Sequence, residues 1–552
     1  MQKSKQLKMI KEEIKRNVEM ALKSLSMDSK NVIIQEPRNH DDVDYATNIA
    51  LVTSKKYNKN PMDIAQDIVK AIDLTNEDFY TSITIAKPGF INFKLNSKQY
   101  LKRLHSILKS GDEFGKSNIG NNKKALIEFV SANPTGPLTI GHGRGAIIGE
   151  FASNILTWNG FAVEREYYFN NAGRQMRKLA ESVKSKYLDS FNIKNDFPED
   201  GYQGEYISTI AKEMKKDFSD EFIEKNKIDD IKSYAEEKIF NKIKATLKKL
   251  QIEFDNFFNE KDLYDNKAIF KIIESLKKDG LIYDKDDATW LNATKLGLTQ
   301  DRVLIKSTGE PTYRLPDMAY HQDKFNRDYD LIIDVFGADH LDAYPDVLAV
   351  CKQLGNDIKK MRVLVHQFVT IQENGKPVKM STRKANFISL DNLINEVGAD
   401  VVKYFFSMRG IHSHLNFDLD LAKDQSDQNP VFYIQYAYAR SINIINKSKD
   451  AGLFSINDFD FNHLSELEEI NLIKCLLKFP ELIKKSCEDL EPQLIANYLM
   501  EIASKFHQYY AKHKVVSDNK ELSIARTLLV DATRQILFNG LTVLGLSTPN
   551  KM

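Results

Sequence analysis

The chain has 552 residues, 42% of them hydrophobic and 28% charged, with 78 Lys and Arg against 77 Asp and Glu for a net charge of +1. That length holds roughly three or four domains of about 150 residues each. The balanced charge excludes a protein that coats nucleic acid through bulk electrostatics, while a local basic face remains open to it. No stretch reaches the roughly 18 apolar residues of a membrane span, and the charged N-terminal stretch MQKSKQLKMIKEEIKRNVEM is not shaped as a secretory signal. Cys351, Cys475 and Cys487 show no CxxC pairing for zinc or a disulfide framework. A soluble chain in a reducing cytoplasm is expected.

In chain order, the first hundred residues predict a small α/β unit. Leu7, Ile10, Ile14, Val18 and Leu25 share one helical face, and a second amphipathic helix carries Ile64, Ile68, Val69 and Ile72 with Pro61 in its first turn. Ser82 to Ala86 and Phe90 to Leu95 read as strands about the turn Lys87-Pro88-Gly89, and GDEFGKSNIGNN, residues 111–122, reads as a linker. The apolar run from Ala125 to Val130 predicts a strand. It leads through SANPTGPLTIGHGRG into a helix with Ile147, Ile148, Phe151, Ile155 and Leu156 inward, Gly160 as its C-terminal cap, and a further strand from Phe161 to Phe169. That order is a right-handed parallel βαβ unit.

Residues 172 to about 290 predict a mostly helical insertion. A strand at Leu331 to Phe336, a helix near Asp342 and a strand at Met361 to Ile371 complete the sheet, with a turn at Asn374-Gly375. Beyond Lys423 only Gly452, Gly540 and Gly545 interrupt long amphipathic segments, which predicts an all-helical domain. The expected fold is therefore a Rossmann-like α/β catalytic domain with a parallel sheet, an N-terminal added α/β domain and a C-terminal all-α domain, divided at 1–112, 113–422 and 423–552.

The chemistry concentrates in two loops. A parallel sheet places its ligands beyond the C-terminal ends of strands, where a helix N-terminus offers free N–H groups to an anion. Residues 131–145 sit there, with Gly136, Gly141, Gly143 and Gly145 permitting close approach, Pro134 and Pro137 stiffening the turn, and Thr139 and His142 three apart. Glycine content alone fits equally a loop that only needs tight turns, and neither the dinucleotide nor the P-loop pattern is present. The second loop is VKMSTRK, residues 378–384. By itself it reads as solvated basic chain; on a mobile loop its ammonium groups can close over a triphosphate.

PLTIGH resembles the HxGH motif of class I aminoacyl-tRNA synthetases, VKMSTRK resembles their KMSKS loop, and EFVSANPTGPLTIGHGRGAIIGE resembles the arginyl family closely. Two such segments, some 240 residues apart and each beside an expected strand, make the resemblance specific. It implies an arginine–tRNA ligase with Thr139, Gly141, His142, Lys379 and Ser381 catalytic, and Pro137, Gly141, His142, Gly337, Asp339 and Lys379 on ATP. The sequence departs from the motifs at Thr139, where histidine is usual, and at Thr382, where the second lysine is usual, with Arg383 and Lys384 as adjacent cations.

An arginine substrate is a planar fork of five donors, best met by carboxylates and flat side chains. Glu128, at the end of an apolar strand, and Tyr313 with Asp317, in PTYRLPDMAYH, fit by type; strand exposure and helix capping are the plainer readings. The resemblance, which extends to YRLPDMAYH and VFGADHLDAYPDV, implies Glu128, Asn133, Tyr313, Asp317 and, more loosely, His340 as arginine-binding residues. NPVFYIQYAYARS and FHQYYAKHKV resemble helices of the arginyl anticodon-binding domain and imply Tyr436, Tyr509 and Tyr510 as tRNA contacts, although aromatic core packing is the plainer reading of each; Lys514 stands where that family tends to have arginine. DYATNIAL resembles the family's N-terminal tRNA-contacting domain. The implied partners are tRNA(Arg), L-arginine and ATP, with Mg2+ carried by ATP and no dedicated metal site, no membrane, and a monomer. His412 and His414 form an HxH without a third ligand and read as surface or packing residues. A small-molecule nucleotidyltransferase and a non-catalytic tRNA-binding paralogue are the competing readings.

Overall fold

The structure is a computed structural model that describes the chain except residues 1–9, 38–41, 74–78, 172, 224–226, 339–340, 379–387 and 455–460. Its contacts divide it into two compact units that do not follow the chain linearly. One holds residues 1–114, 440–479 and 504–536, the other residues 115–439, 480–503 and 537–552.

In the first unit a three-stranded antiparallel sheet has the order Tyr45–Thr47, Phe90–Leu95, Tyr80–Ala86. Ile14, Val18, Ile64, Ile68 and Ile72 are buried, as their helical spacing predicts. Asp44, at the edge of the sheet, accepts from the Leu95 amide at 2.8 Å and from Lys474 Nζ at 2.5 Å, and Lys478 pairs with Glu36 at 2.6 Å. The start of the chain is thus ionically tied to a helical segment some 430 residues later. From Pro430 onward the described secondary structure is helical, in Pro430–Asp450, Leu467–Leu476, Phe479–Asp489, Gln493–Lys512 and Lys520–Val543.

The second unit is built on a five-stranded parallel sheet. Its spatial order is Met361–His366, Leu331–Gly337, Lys124–Glu128, Ala162–Phe169, Asn256–Asn259. Growth of the sheet reverses between Lys124–Glu128 and Leu331–Gly337, which makes their C-terminal ends the topological switch point and the expected ligand crevice. The helix Ile140–Trp158 connects Lys124–Glu128 to Ala162–Phe169.

Several expectations are corrected. The predicted strand from Met361 to Ile371 breaks into Met361–His366 and Val369–Glu373, because the buried Arg144 draws the Gln367 carbonyl out of the ladder with a 2.7 Å hydrogen bond. By contrast, Gly160 ends the preceding helix as expected: it follows Asn159 at φ +83°, and its amide and that of Phe161 bond the carbonyls of Thr157 and Leu156, both at 3.1 Å. Residues 172–290 are helical through Lys249, but Asn256–Asn259 is a strand of the main sheet, and Ile282–Lys285 and Ala288–Leu291 open a small antiparallel sheet with Arg302–Ile305. Pro316 does not shorten Arg314–Asn326: it lies in the first turn, where an N–H would have no intrahelical partner.

Sheet register sets a problem that the next elements solve. Glu128 lies opposite Asp334 on one side and Glu166 on the other, so three carboxylates line up across three central strands, all buried. Buried carboxylates need counter-charges and donors. Arg314–Asn326 and the residue after it supply them. Lys324 Nζ bonds Glu128 and, at 2.7 Å, Asp334; Tyr320 and Arg327 hold Glu166 at 2.6 Å and, bidentately, 2.5 and 2.8 Å.

Candidate active site at the switch point

The loop after Lys124–Glu128 turns sharply. Val130 and Ser131 adopt left-handed conformations at φ +68° and +40°, costly for a β-branched residue and sustained by the contacts around them. Ser131 Oγ donates to Glu128 at 2.7 Å and accepts from the Tyr168 amide at 3.1 Å. Tyr167 and Tyr206 donate to the carbonyls of Ala132 and Thr135, both at 2.7 Å, so the loop backbone is pinned from two sides. Pro137 follows in this framework, before the helix begins at Ile140.

Thr139 caps that helix. Its hydroxyl accepts from the His142 amide at 3.4 Å, while its own amide donates to His142 Nδ1 at 3.1 Å, a reciprocal capping box. Because Nδ1 accepts, the imidazole proton resides on Nε2, which leaves His142 a donor rather than a cation. Threonine at 139 is therefore explained by capping.

The glycines divide by what surrounds them. A Cβ at Gly143 would come within 2.6 Å of Leu390, at Gly145 within 3.0 Å of His366 and at Gly149 within 2.1 Å of Phe129. Those three admit neighbouring side chains. Among the described residues a Cβ at Gly141 meets nothing closer than Thr139 Oγ1 at 3.7 Å, so their packing does not require glycine there. Gly141 lies in the first turn, where amide groups are unsatisfied within the helix and the dipole favours an anion.

The chain beyond the second loop returns to the same place. Val369–Glu373 and Lys376–Pro377 form a hairpin through Asn374 and Gly375, both with positive φ. Lys379, Ser381, Thr382, Arg383 and Lys384 lie outside the described residues. On their far side Ser389 bridges Thr139, and the Leu390 amide donates to the Leu138 carbonyl at 2.9 Å. The chain leaving the second motif is thus joined to the first. Gly337 ends its strand opposite His366; Asp339 and His340 also lie outside the described residues.

On the other side of the loop the site is acidic. Asp317 stands in the first turn of Arg314–Asn326, partly exposed, and Tyr313 precedes it with 72% of its surface open. Asn133 donates to Gln175 at 2.8 Å, and Gln175 reaches Tyr313 Oη at 3.4 Å, so the loop, the insertion and this helix are joined by one polar chain. Glu260 opens the short helix packed against Arg314–Asn326 and accepts from Tyr168 Oη at 2.9 Å. Burial raises the Glu260 carboxyl above its ordinary range, the Tyr168 bond opposes this, and the negative charge of Asp317 adds to the rise. Two carboxylates that repel in this way are stabilised by a cation between them.

Sequence reasoning missed Gln175, Glu260 and Tyr168; the only signal was an acid following the aromatic run Phe257-Phe258. It also missed Arg144, fully buried and donating to the carbonyls of Gln367 and Gly410. Two of the expected site residues are buried. Glu128 is not a free pocket carboxylate: it is 4% exposed and both oxygens have partners, Ser131 and Lys324. Tyr509 is fully buried and offers no face to a base. Tyr436 is exposed, and Tyr510 is half-buried with the Arg440 guanidinium 5.1 Å from its ring centre. His414 is exposed and bonds Thr370 at 2.9 Å, and His412 is exposed too; among the described residues no group of three His, Cys, Asp or Glu could hold a metal.

Comparison with known proteins agrees over almost the whole chain. Residues 9–95 match the arginyl tRNA synthetase N terminal domain, 103–403 the catalytic domain of tRNA synthetases class I (R), and 434–552 the DALR anticodon binding domain. An arginine–tRNA ligase of Desulfotalea psychrophila is 45% identical over 94% of both chains, and one of Salinibacter ruber 41% identical over 95% of this chain and 96% of its own. The Thermus thermophilus arginyl-tRNA synthetase structure shares the fold at a TM-score of 0.76 and 18% identity, covering 99% of this chain and 100% of its own.

Proposed function

The chain belongs to the arginyl-tRNA synthetase family, and from that premise we propose how its residues divide the reaction. The protein is an arginine–tRNA ligase. It activates L-arginine with ATP to arginyl-adenylate and transfers the arginyl group to the terminal ribose of tRNA(Arg), releasing AMP and pyrophosphate.

In the first step a carboxylate oxygen of arginine attacks the α-phosphorus of ATP, and the bond to pyrophosphate breaks. The nucleophile is already ionised at neutral pH, so the protein supplies position and charge rather than a base. The helix N-terminus at Gly141 and the Nε2 proton of His142 stabilise the phosphates, with Thr139 and Pro137 fixing the approach. Gly337 and Asp339 flank the adenosine, and Lys379 and Ser381 close over the leaving pyrophosphate. ATP enters as its Mg2+ complex.

Asp317 and Glu260 take the guanidinium, whose fork matches two carboxylates. Tyr313, Asn133, Gln175 and His340 orient the rest of the amino acid. In the second step the tRNA ribose hydroxyl attacks the adenylate carbonyl and AMP leaves. Residues 423–552 receive the anticodon, with Tyr436 and Tyr510 as stacking faces, and residues 1–112 receive another part of the tRNA. The chain acts as a cytoplasmic monomer.

One observation carries this reading: the loop 129–139 ends at an open helix N-terminus and is joined through Asn133 and Gln175 to Tyr313, beside Asp317. The test is aminoacylation of tRNA(Arg) with arginine and with citrulline, its neutral isostere. Charging with arginine alone is expected; comparable charging with citrulline overturns the acidic pocket.

A further inference from the structure

His321 lies in the interior of Arg314–Asn326, fully buried, and takes no part in the steps above. Its Nδ1 faces the Asp317 carbonyl at 2.8 Å and the Asp317 carboxylate at 3.0 Å; its Nε2 faces the Asp334 carboxylate at 2.8 Å. Every partner is an acceptor, so both nitrogens must carry hydrogen and the ring is an imidazolium. Asp334 bonds Lys324, Lys324 bonds Glu128, and Glu128 accepts from Ser131, where the phosphate loop turns. We propose that His321 is a positioning residue for the amino-acid site: it fixes the Asp317 carboxylate and, through Asp334, Lys324 and Glu128, sets that carboxylate against the start of the phosphate loop.

The charge count explains why the device holds two cations. Asp317, Asp334 and Glu128 bring three negative charges, and His321 and Lys324 return two positive ones. Glu166 is neutralised separately by Arg327. The chain is left one positive charge short, and the partly exposed carboxylate of Asp317 is where a guanidinium completes it. Burial and the neighbouring Lys324 both push His321 towards neutrality, but Asp317 and Asp334 outweigh them and raise its pKa to about 10, which agrees with the hydrogen-bond count. Loss of His321 would leave Asp317 without its donor and this chain of residues two positive charges short.

The proposal rests on the assignment of Asp317 to arginine, and the experiment separates the two. Arginine and ATP KM are measured in tRNA-dependent pyrophosphate exchange for Asp317→Asn, His321→Gln, His321→Asn and the Asp317→Asn/His321→Gln double variant. Glutamine keeps a donor near Nε2, towards Asp334, and loses the one facing Asp317; asparagine does the reverse. His321→Gln is expected to raise arginine KM about tenfold, the worth of one charge-assisted hydrogen bond, with ATP KM unchanged. His321→Asn is expected to raise it less, and the double variant to match Asp317→Asn, because His321 acts through that carboxylate.

An unchanged arginine KM in Asp317→Asn overturns the pocket assignment and this proposal with it. A raised KM there together with an unchanged one in His321→Gln, equal rises for arginine and ATP, or additive effects in the double variant overturn the positioning role alone. Should the His321 variants not fold, long-range 15N–1H spectra of the wild-type histidines at pH 8 decide the matter. An imidazolium ring at that pH is expected, and its absence overturns the proposal.

Discussion

The two sides of the site are made differently. The phosphate side consists of backbone: a pinned loop, a capped helix N-terminus and an open Gly141, with the tight glycines serving only to pack the helix. The guanidinium side consists of side-chain charge, where Asp317 and Glu260 stand on short-range supports from His321 and Tyr168, and Asp317 alters Glu260. A backbone site tolerates loss of one side chain but not a change of shape; a charge site tolerates shape but not loss of a partner.

The sharpest break in this comparison lies at Lys379, the one cation assigned to the phosphate side. Lys379→Ala should slow adenylate formation by about 10²–10³-fold, the share of a single electrostatic donor. An unchanged single-turnover rate would show that the phosphate side works through backbone alone.

Asp317→Asn tests the opposite side. It should raise arginine KM by about ten- to a hundredfold, as loss of a charge-assisted bond does, with ATP KM unaltered. Equal changes in both constants would erase the division between the two sides. The raised Glu260 carboxyl predicts a further asymmetry: a cation favours the ionised form, so arginine should bind more tightly as pH rises through that group's range, while ATP binding should not follow. Glu260→Gln should flatten this slope in arginine KM, and persistence of the slope would assign it to another group.

Glycine substitutions separate packing from binding within one helix. Gly149→Ala should cost about 1–3 kcal/mol of stability through overpacking against Phe129 and lower Tm, with ATP KM unchanged. Gly141→Ala should leave Tm intact and raise ATP KM. The reverse pattern would exchange their roles. Smallest of all, Thr139→Ala should cost about 1 kcal/mol, the usual worth of a cap, and calorimetry showing no loss would remove the capping account of that threonine.

Much of the phosphate side was legible in the sequence because it is local. The strand, loop and helix of residues 124–158 are consecutive, and their glycine spacing and cap residues are read directly. The guanidinium side was legible only in Tyr313 and Asp317, which are also close in sequence. Glu260 and Gln175 come from segments far along the chain that carry no pattern of their own, and the cation that Glu128 bonds, Lys324, stands 196 residues away. The same limit applies at the buried Tyr509, since helical spacing does not tell which aromatic ring faces the core.

Sequence alone determined the strand and helix periods, the parallel βαβ order, the two loops and, through their resemblance, the family. Tertiary structure alone decided which charges are spent on the chain and which remain for a substrate. The reason is physical: periodicity and capping depend on neighbours within a few residues, whereas the state of a buried carboxylate depends on whichever cation the fold brings within hydrogen-bonding distance.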